Sequence, residues 1–343
     1  MKKRSCAKNL SYAEKASQAI DEALRENRKS RWIREEVLIL GAPGSGKRNS
    51  KTRLMRQLRI IYDPYTERER EDFRPCIRSS VTYALRQLDL LLPAETPSIL
   101  KILDSSPTET LVLTEDIATR IHDWWSRSDI QNISSHLPLD PSTTHVLDRI
   151  LPIAAEDYLP SDTDILFCHI YPSPALDQLT VPFSEETRYR PILNCTCVRQ
   201  SLRSIHKWLP MFGEISHIIF VFNLNDYDDL EDTRKTFDLW EYIYSSRFTR
   251  FAHIYLIVNR PSTFASKLTR HPLNSTYPDA EPDISPAAAQ AFLLRRFAEQ
   301  DHSGRWDIPR WTVDLMDTEG VRVTMRNLMD ELVQTRLITV CGL

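Results

Sequence analysis

The sequence predicts an α/β protein with a mainly parallel sheet covered by helices and a separate all-helical unit lying between two α/β segments. Three observations carry this. The apolar runs Ile218-Ile219-Phe220-Val221-Phe222 and Ile254-Tyr255-Leu256-Ile257-Val258 are each followed by polar residues and a helical pattern, the alternation of a parallel sheet buried on both faces. The stretch from Asp63 to Pro160 reads as helix and loop, with little that looks like a strand. A glycine cluster, Gly41, Gly44 and Gly46, separates a short apolar run from a helical one. The chain has 343 residues with only 7 glycines against 21 prolines. Ordinary usage would give roughly 24 glycines, so a cluster of three marks a place where the backbone needs freedom.

From the N-terminus, Ser11 to Arg34 reads as one amphipathic helix. Ser11 and Glu14 form a capping-box pattern, and Tyr12, Ala16, Ala19, Ile20, Ala23 and Leu24 share a stripe. The stripe packs on the chain's own core or on a partner. Val37 to Leu40 is a short buried strand ending at the glycines, after which a helical pattern resumes through Leu54, Leu58 and Ile61. The middle holds helical patterns over Glu67–Leu92, Asp116–Ser126 with Trp124 and Trp125, and Pro138–Leu151, ending near Pro152. From Asp164 onward strands alternate with helices. Asn274 to Ile284, with Pro272, Pro278, Pro282 and Pro286 in or around it, reads as a loop. A final helix covers Val323–Leu337 with Leu328, Met329, Leu332 and Val333 facing inward.

Composition excludes several classes. No run approaches the ~18 to 20 apolar residues of a spanning helix. Met1-Lys2-Lys3-Arg4-Ser5-Cys6 leads into polar sequence without an apolar signal core, which argues against secretion. Six cysteines in a chain this long do not make a disulfide scaffold, and Cys195 and Cys197 lack a second close pair for zinc. They read as buried fillers or as a redox pair. A formal net charge of -3 argues against a nucleic-acid binder. The expectation is a soluble cytoplasmic protein of two domains, at about 150 residues per domain.

Gly41-Ala42-Pro43-Gly44-Ser45-Gly46-Lys47 follows a strand and opens a helix. In that setting a G-x-x-x-x-G-K loop binds phosphate: backbone N–H groups converge on the anion, the helix N-terminus adds positive potential, and the lysine pairs with the outer phosphates. The bland alternative is a tight turn with a solvated lysine. The residue after Lys47 should be Ser or Thr, whose hydroxyl holds Mg²⁺, but it is Arg48. Lys51-Thr52, four residues on, supplies a second Lys–hydroxyl pair. On that reading Lys47-Arg48-Asn49-Ser50 is an insertion of about one helical turn.

The loop followed by Arg56-Gln57-Leu58-Arg59-Ile60-Ile61-Tyr62 resembles the heterotrimeric G-protein α subunit, whose phosphate loop leads into a Lys-Gln-Met-Lys-Ile-Ile-type helix. Ile20-Asp21 and Leu24-Arg25-Glu26 match that family's N-terminal helix. Tyr158-Leu159-Pro160 and Asp164-Ile165-Leu166 match the approach to its first switch. Trp208 through Ile218-Ile219-Phe220 to Asn225-Asp226-Tyr227-Asp228 matches its central strand, and Asn327 to Leu337 with Cys341-Gly342-Leu343 looks like its receptor-contacting tail. The resemblance implies a Ras-like P-loop domain with a mainly parallel sheet (residues 36–62 and 163–343), an inserted all-helical domain (63–162) and an N-terminal helix (1–35). It also implies GDP or GTP bound with Mg²⁺, GTP hydrolysis, and a βγ partner released when a receptor drives exchange.

Transferred residue by residue, the resemblance also predicts losses. Counting from Asp164-Ile165-Leu166, the family's catalytic arginine falls at His169 and its Mg²⁺-ligating switch threonine at Pro172. A mostly neutral imidazole cannot hold phosphate bidentately, and proline offers neither hydroxyl nor N–H. The second-switch Asp-Val-Gly-Gly-Gln corresponds to Cys197-Val198-Arg199-Gln200-Ser201, so the Mg²⁺-supporting aspartate becomes Cys197 and the water-orienting glutamine Ser201. A one-residue deletion before Trp208 would instead put Gln200 in the glutamine's place. Asn-Lys-x-Asp becomes Asn259-Arg260-Pro261-Ser262, which removes the acid that selects guanine. Losing a paired charge contact costs about 1.5–3 kcal/mol, roughly tenfold or more in preference. The Thr-Cys-Ala-Thr base loop becomes Val313-Asp314-Leu315-Met316, where only the Leu315 N–H is left as a base contact.

Three readings follow: a guanine nucleotide-binding switch with impaired GTP hydrolysis; a pseudo-GTPase binding module that engages βγ or a receptor without a nucleotide cycle; and a phosphate-loop protein with a changed base or substrate. The resemblance assigns βγ to the N-terminal helix and a G-protein coupled receptor to the C-terminal tail. No N-terminal Gly is available for myristoylation, because Lys2 follows Met1. Cys6 beside Lys2, Lys3 and Arg4 is either a plain cytoplasmic cysteine or a palmitoylation site next to a basic patch. In the second case it gives peripheral contact at the inner face of the plasma membrane.

Overall fold

Alternation along the central strand sets the architecture. In β1 (Arg34–Gly41) Val37 and Ile39 enter one hydrophobic cluster and Leu38 and Leu40 another, so the strand is buried on both faces. A computed structural model describes residues 21, 34–41, 50–91, 112–137, 139–168, 176–182, 192–198, 205–212, 215–299 and 308–341. Five more strands join β1: β2 (Leu176–Pro182), β3 (Ile192–Val198), β4 (His217–Asn223), β5 (His253–Asn259) and β6 (Arg310–Val313), in the order β2-β3-β1-β4-β5-β6. Every pairing is parallel except the antiparallel β2–β3 edge. The expected mainly parallel sheet is therefore what forms, and both apolar runs that predicted it are buried strands within β4 and β5.

Helices cover both faces. On the face of Val37, Ile39, Ile219 and Val221 lie Leu54, Met55 and Leu58 of α1 (Ser50–Tyr62) and Leu328, Met329 and Leu332 of the C-terminal helix, with Val333 partly buried beside them. The opposite face, with Leu38, Phe220 and Leu256, is covered by side chains such as Trp240, Phe264 and Phe297 from the helices that follow β4, β5 and residue 285. A third core belongs to helices alone: α2 (Glu67–Leu91), α3 (Glu115–Trp125), α4 (Ser128–Ser135), α5 (Pro141–Asp148), α6 (Ile150–Ala154) and α7 (Asp162–Phe167). Phe73, Val81, Leu88, Ile121, Trp125, Leu147 and Ile165 pack within it. Arg56 of α1 ties this unit to the sheet by donating to the carbonyls of Ile165 and Cys168. The remaining helices are α8 (Ile205–Trp208), α9 (Leu230–Ser245), α10 (Phe264–Arg270), α11 (Leu273–Thr276), α12 (Pro286–Glu299) and α13 (Thr318–Cys341).

Element ends differ from expectation for identifiable reasons. β1 begins at Arg34, three residues before the expected strand, because its two glutamates have tertiary partners. Glu36 Oε1 accepts from Asn194 Nδ2 at 2.8 Å, and buried Glu35 lies 3.3 Å from His217 Nε2. The expected Pro138–Leu151 helix is two helices: Asp140 caps α5 by accepting from Ser142 N, Pro141 occupies its first turn, and the chain breaks at Arg149. Arg149 turns its guanidinium to Asp164, 3.0 Å away, and α6 runs past Pro152 to Ala154. Asp164 to Leu166, where the strand alternation was expected to start, lies in α7, whose capping box joins Ser161 and Asp164. The proline-rich loop holds one helical turn, α11, at its start, and Asp283 there takes a φ of 55°. α13 starts at Thr318, five residues early, because Asp317 Oδ1 accepts the Gly320 N–H at 3.1 Å. A Cβ on Gly320 would sit 2.6 Å from the Asp317 carboxylate, so the cap needs the glycine. Of the expected Ser11–Arg34 helix, Asp21 is helical and Arg34 instead opens β1, while the rest lies outside the described residues, as do Cys6, Gly342 and Leu343.

Candidate functional site

The carboxyl ends of the parallel strands bring most of the described candidate residues together, at the edge where open α/β sheets bind ligands. Gly41 ends β1 in register with Val221 of β4, and a Cβ there would lie 2.5 Å from the Val221 carbonyl oxygen. Close approach of two central strands, not turn geometry, therefore requires this glycine. Ala42, Pro43, Gly44, Ser45, Gly46 and Lys47 lie outside the described residues; the chain re-enters at Ser50, the first residue of α1. The first turn of α1 carries no acidic residue, so the positive end of its dipole is uncompensated locally. Lys51 in that turn is buried and its Nζ points back to the Gly41 carbonyl at 3.5 Å, and Thr52 beside it is also buried.

Asn259, at the end of β5, connects the loops around this edge. Its Oδ1 accepts the Leu315 N–H at 3.0 Å, while its Nδ2 donates to Asn223 Oδ1 at 3.0 Å and, at 3.5 Å, to Ser50 Oγ. One fully buried amide thus joins the start of α1, the end of β4 and the loop after β6. Such a bonded network costs far less to bury than unpaired groups and holds the loops in one arrangement. The Leu315 N–H, the expected base contact, is donated to this amide.

The base-side residues divide. Ser262, Pro261 and Asp314 line a cleft of about 410 Å³ with Arg53, Asn223, Lys267 and, across from them, Tyr83, Gln87 and Asp140 of the helical unit. That volume is within the range of small-ligand sites. Arg260 is exposed and lines a separate hollow between α10, α12 and α13, which shares only Pro261, Ser262 and Asp314 with the cleft. Asp314 Oδ2 accepts the Ser262 N–H at 2.8 Å, and its Oδ1 accepts the Met316 N–H at 2.9 Å. Burial lowers the Arg53 guanidinium from its ordinary value, and Arg56 adds to this, against the attraction of Asp140, Asp314 and Asp226.

Among the described residues the donors do not fit a tightly held Mg²⁺. Among the described residues no group of three His, Cys, Asp or Glu could hold a metal. Cys197 is fully buried in the apolar cluster of Ile39 and Leu54, and thiol sulfur is a soft donor where Mg²⁺ takes oxygen. Thr52 alone of the described candidates offers an oxygen. Cys195 shares this cluster, and burial, then Glu36 and Cys197, push its thiol up to about 12. Both cysteine side chains fill core space. His169, Pro172, Gln200 and Ser201 lie outside the described residues.

Sequence reasoning passed over Ser50, Arg53, Asn223 and Asp314. Asn223 had a visible signal, an amide closing an apolar strand in register with Asn259. Arg53 had none beyond its place after Lys51-Thr52.

A sequence profile of the G-protein alpha subunit family matches residues 14–332. The chain is 26% identical to a guanine nucleotide-binding protein subunit alpha of Sporothrix schenckii, over 97% of this chain and 99% of that protein. It is 26% identical to a protein of the same description from Cryphonectria parasitica, over 95% of this chain and 96% of that one. To a guanine nucleotide-binding protein alpha-1 subunit of Mycosarcoma maydis it is 27% identical, over 95% of each chain.

Proposed function

The chain belongs to the G-protein alpha subunit family, and on that premise we propose that it is a guanine nucleotide-binding subunit of receptor-coupled signal transduction that grips phosphate through Lys51 and has negligible GTP hydrolysis. The observation that carries the reading is the position of Lys51. A phosphate loop needs its lysine in the first helical turn, folded back over the strand end, and followed by a hydroxyl residue. Lys51 meets all three conditions: it follows Ser50 at the start of α1, reaches the Gly41 carbonyl and precedes Thr52. Lys47-Arg48 lacks the hydroxyl. On this reading the phosphate segment runs in sequence from Gly41 to Lys51, about four residues longer than the usual G-x-x-x-x-G-K. Asn259 holds the start of α1 through Ser50, and Ser262 stands in the cleft wall on the base side, whereas Arg260 faces the neighbouring hollow and Leu315 bonds Asn259.

Family members bind their nucleotide with Mg²⁺. Cys197 lies inside the core and Thr52 is the one oxygen donor among the described candidates, so the described residues offer the metal a single ligand. Hydrolysis needs an arginine for the developing charge and a residue orienting water. With His169 and Pro172 at the first-switch positions, and with Ser201 or a Gln200 flanked by the wrong neighbours at the second, we infer that the family's hydrolytic set is broken. Loss of the arginine alone costs about 10³ to 10⁵ in rate.

The partners we infer are βγ through the N-terminal helix and a G-protein coupled receptor through the C-terminal tail. We place the protein in the cytoplasm, with Cys6 and its basic neighbours available for peripheral contact at the inner face of the plasma membrane. The donation of the Leu315 N–H to Asn259 favours a second reading, a pseudo-GTPase that engages βγ or a receptor without a nucleotide cycle.

Calorimetric titration with GDP, GTP and ATP, with and without Mg²⁺, separates the two readings. The first expects guanine-selective binding with little Mg²⁺ dependence and no single-turnover hydrolysis. It also expects Lys51→Met to weaken binding tenfold or more, the equivalent of a lost charge-assisted contact, and Lys47→Met to weaken it less. Absence of binding selects the second reading, and a larger loss from Lys47→Met overturns the Lys51 assignment.

A further inference from the structure

We propose that Asp314, on the loop after β6, supplies the carboxylate that reads the nucleotide base, replacing the acid absent at Ser262. This rests on the nucleotide-binding reading above. The Asp314 carboxylate lies one hydrogen bond from the backbone of Ser262: its Oδ2 accepts the Ser262 N–H at 2.8 Å. The acid has thus moved from one loop to the loop facing it, while the charge stays at the same place in the cleft wall. The second bond, from Met316 N to Oδ1 at 2.9 Å, fixes the plane of the carboxylate.

An ionised carboxylate has about four acceptor positions. Asp314 uses one on each oxygen for these backbone groups, leaving one on each. Guanine presents two adjacent donors on one edge, the ring N1–H and the exocyclic amino group, which two neighbouring carboxylate oxygens can accept together. Adenine offers an unprotonated N1 with no amino group at C2, so the same carboxylate would face a lone pair and repel it.

The other acids lining the cleft are committed elsewhere. Asp228 forms an ion pair with Lys267, and Asp140 caps α5 through Ser142. Asp314 instead lies beside Ser262 and Pro261 in the wall that also carries Asn223 and Met316, and Arg53 in the same cleft feels its negative charge.

The test measures affinities of the full-length protein for GDP, xanthosine diphosphate and ADP. Xanthine keeps the N1–H but replaces the amino donor with a carbonyl acceptor. Asp314→Asn, which exchanges one acceptor oxygen for an N–H₂ donor, should therefore shift the xanthine-to-guanine affinity ratio tenfold or more toward xanthine. Asp314→Ala should lose guanine preference without gaining xanthine, and adding Ser262→Asp to it should restore guanine preference from the facing loop. That double variant keeps the test decisive if Asp314→Asn does not fold. Wild-type binding of GDP with an unchanged ratio in Asp314→Asn, or equal loss for all three nucleotides, overturns the proposal and leaves the nucleotide reading standing. A wild-type protein that binds none of the three overturns both.

Discussion

The packing of α5 against α7 within the helical unit depends on one buried carboxylate, and its removal has a calculable consequence. The Asp164 side chain in α7 is fully buried. Its Oδ1 is 2.8 Å from His145 Nε2 and accepts from Arg149 Nε at 3.0 Å, and its Oδ2 accepts the Ser161 N–H at 2.9 Å and hydroxyl at 2.8 Å. Asp164→Asn keeps the shape but turns an N–H₂ group toward donors on one side or the other. Breaking a buried pair costs about 3–5 kcal/mol. Arg149 is 40% exposed and can rehydrate, which screens the pair and puts the loss near the lower end, about 3 kcal/mol. At about 4–8 °C per kcal/mol for a unit of about 100 residues, the melting temperature of the helical unit should fall by roughly 12–24 °C at pH 7. The pH dependence has a definite sign. Burial alone would raise the Asp164 carboxyl, but the contacts of His145 and Ser161 and the charge of Arg149 outweigh it and hold the group well below its ordinary value. A carboxyl depressed in the folded state contributes stability above its unfolded pKa, about 3.9, and loses it as pH falls through the folded value. The gap between wild type and variant, followed by far-UV circular dichroism on heating, should therefore be full at pH 7 and narrow below about pH 4. A fall of less than about 2 °C at pH 7, or a gap that does not narrow in acid, would refute the assignment.

Two further outcomes concern the sheet edge. Gly41→Ala would place its Cβ 2.5 Å from the Val221 carbonyl oxygen. Since neither central strand can retreat, the expected cost is about 1–3 kcal/mol, read as a lower urea midpoint with unchanged slope; an unshifted midpoint would show that the strands can part. Asn259→Ala would leave the Leu315 N–H without its buried partner, at about 1–3 kcal/mol, and would leave Asn223 Oδ1 with the Asn225 N–H as its remaining donor. Amide exchange at Leu315 should accelerate and GDP affinity fall together, and a Leu315 amide protected as in wild type counts against the bridge.

The fold was most legible where physics is local. The cores of β4 and β5 announce themselves as continuous apolar runs because both faces are buried, and α1 through Leu54 and Leu58 keeps a helical period. Ends were less legible because tertiary partners decide them. Glu35 and Glu36 extend β1 only because His217 and Asn194 arrive from β4 and β3. The break at Arg149 depends on Asp164, fifteen residues on. In the candidate site, the glycine cluster marked the strand–loop–helix turn, yet Gly41 is required by its neighbouring strand. Asp314 escaped notice because its contact with Ser262 spans 52 residues, and one sequence carries no sign of such pairing.

The features kept and the features lost differ in where their free energy comes from. Asn259, Asn223, Gly41 and Lys51 do structural duty at the sheet edge with or without a ligand, since each makes a buried contact or fills a space only it can fill. A metal-supporting carboxylate is different. At position 197, fully buried in β3 between Ile39 and the β2 edge, an acid would be an uncompensated buried charge unless a cation accompanied it. Cys197 removes that requirement: a small apolar side chain packs beside Ile39 and Leu54 and the core is stable without metal. Restoring the acid alone would therefore cost stability before it gained chemistry, because the oxygen ligands needed to share the cation, such as a hydroxyl at Pro172, are missing too. On the proposed reading, binding and hydrolysis are for this reason separable in this fold. The nucleotide-gripping edge is anchored by contacts the sheet needs anyway, whereas the hydrolytic groups are stable only as a set.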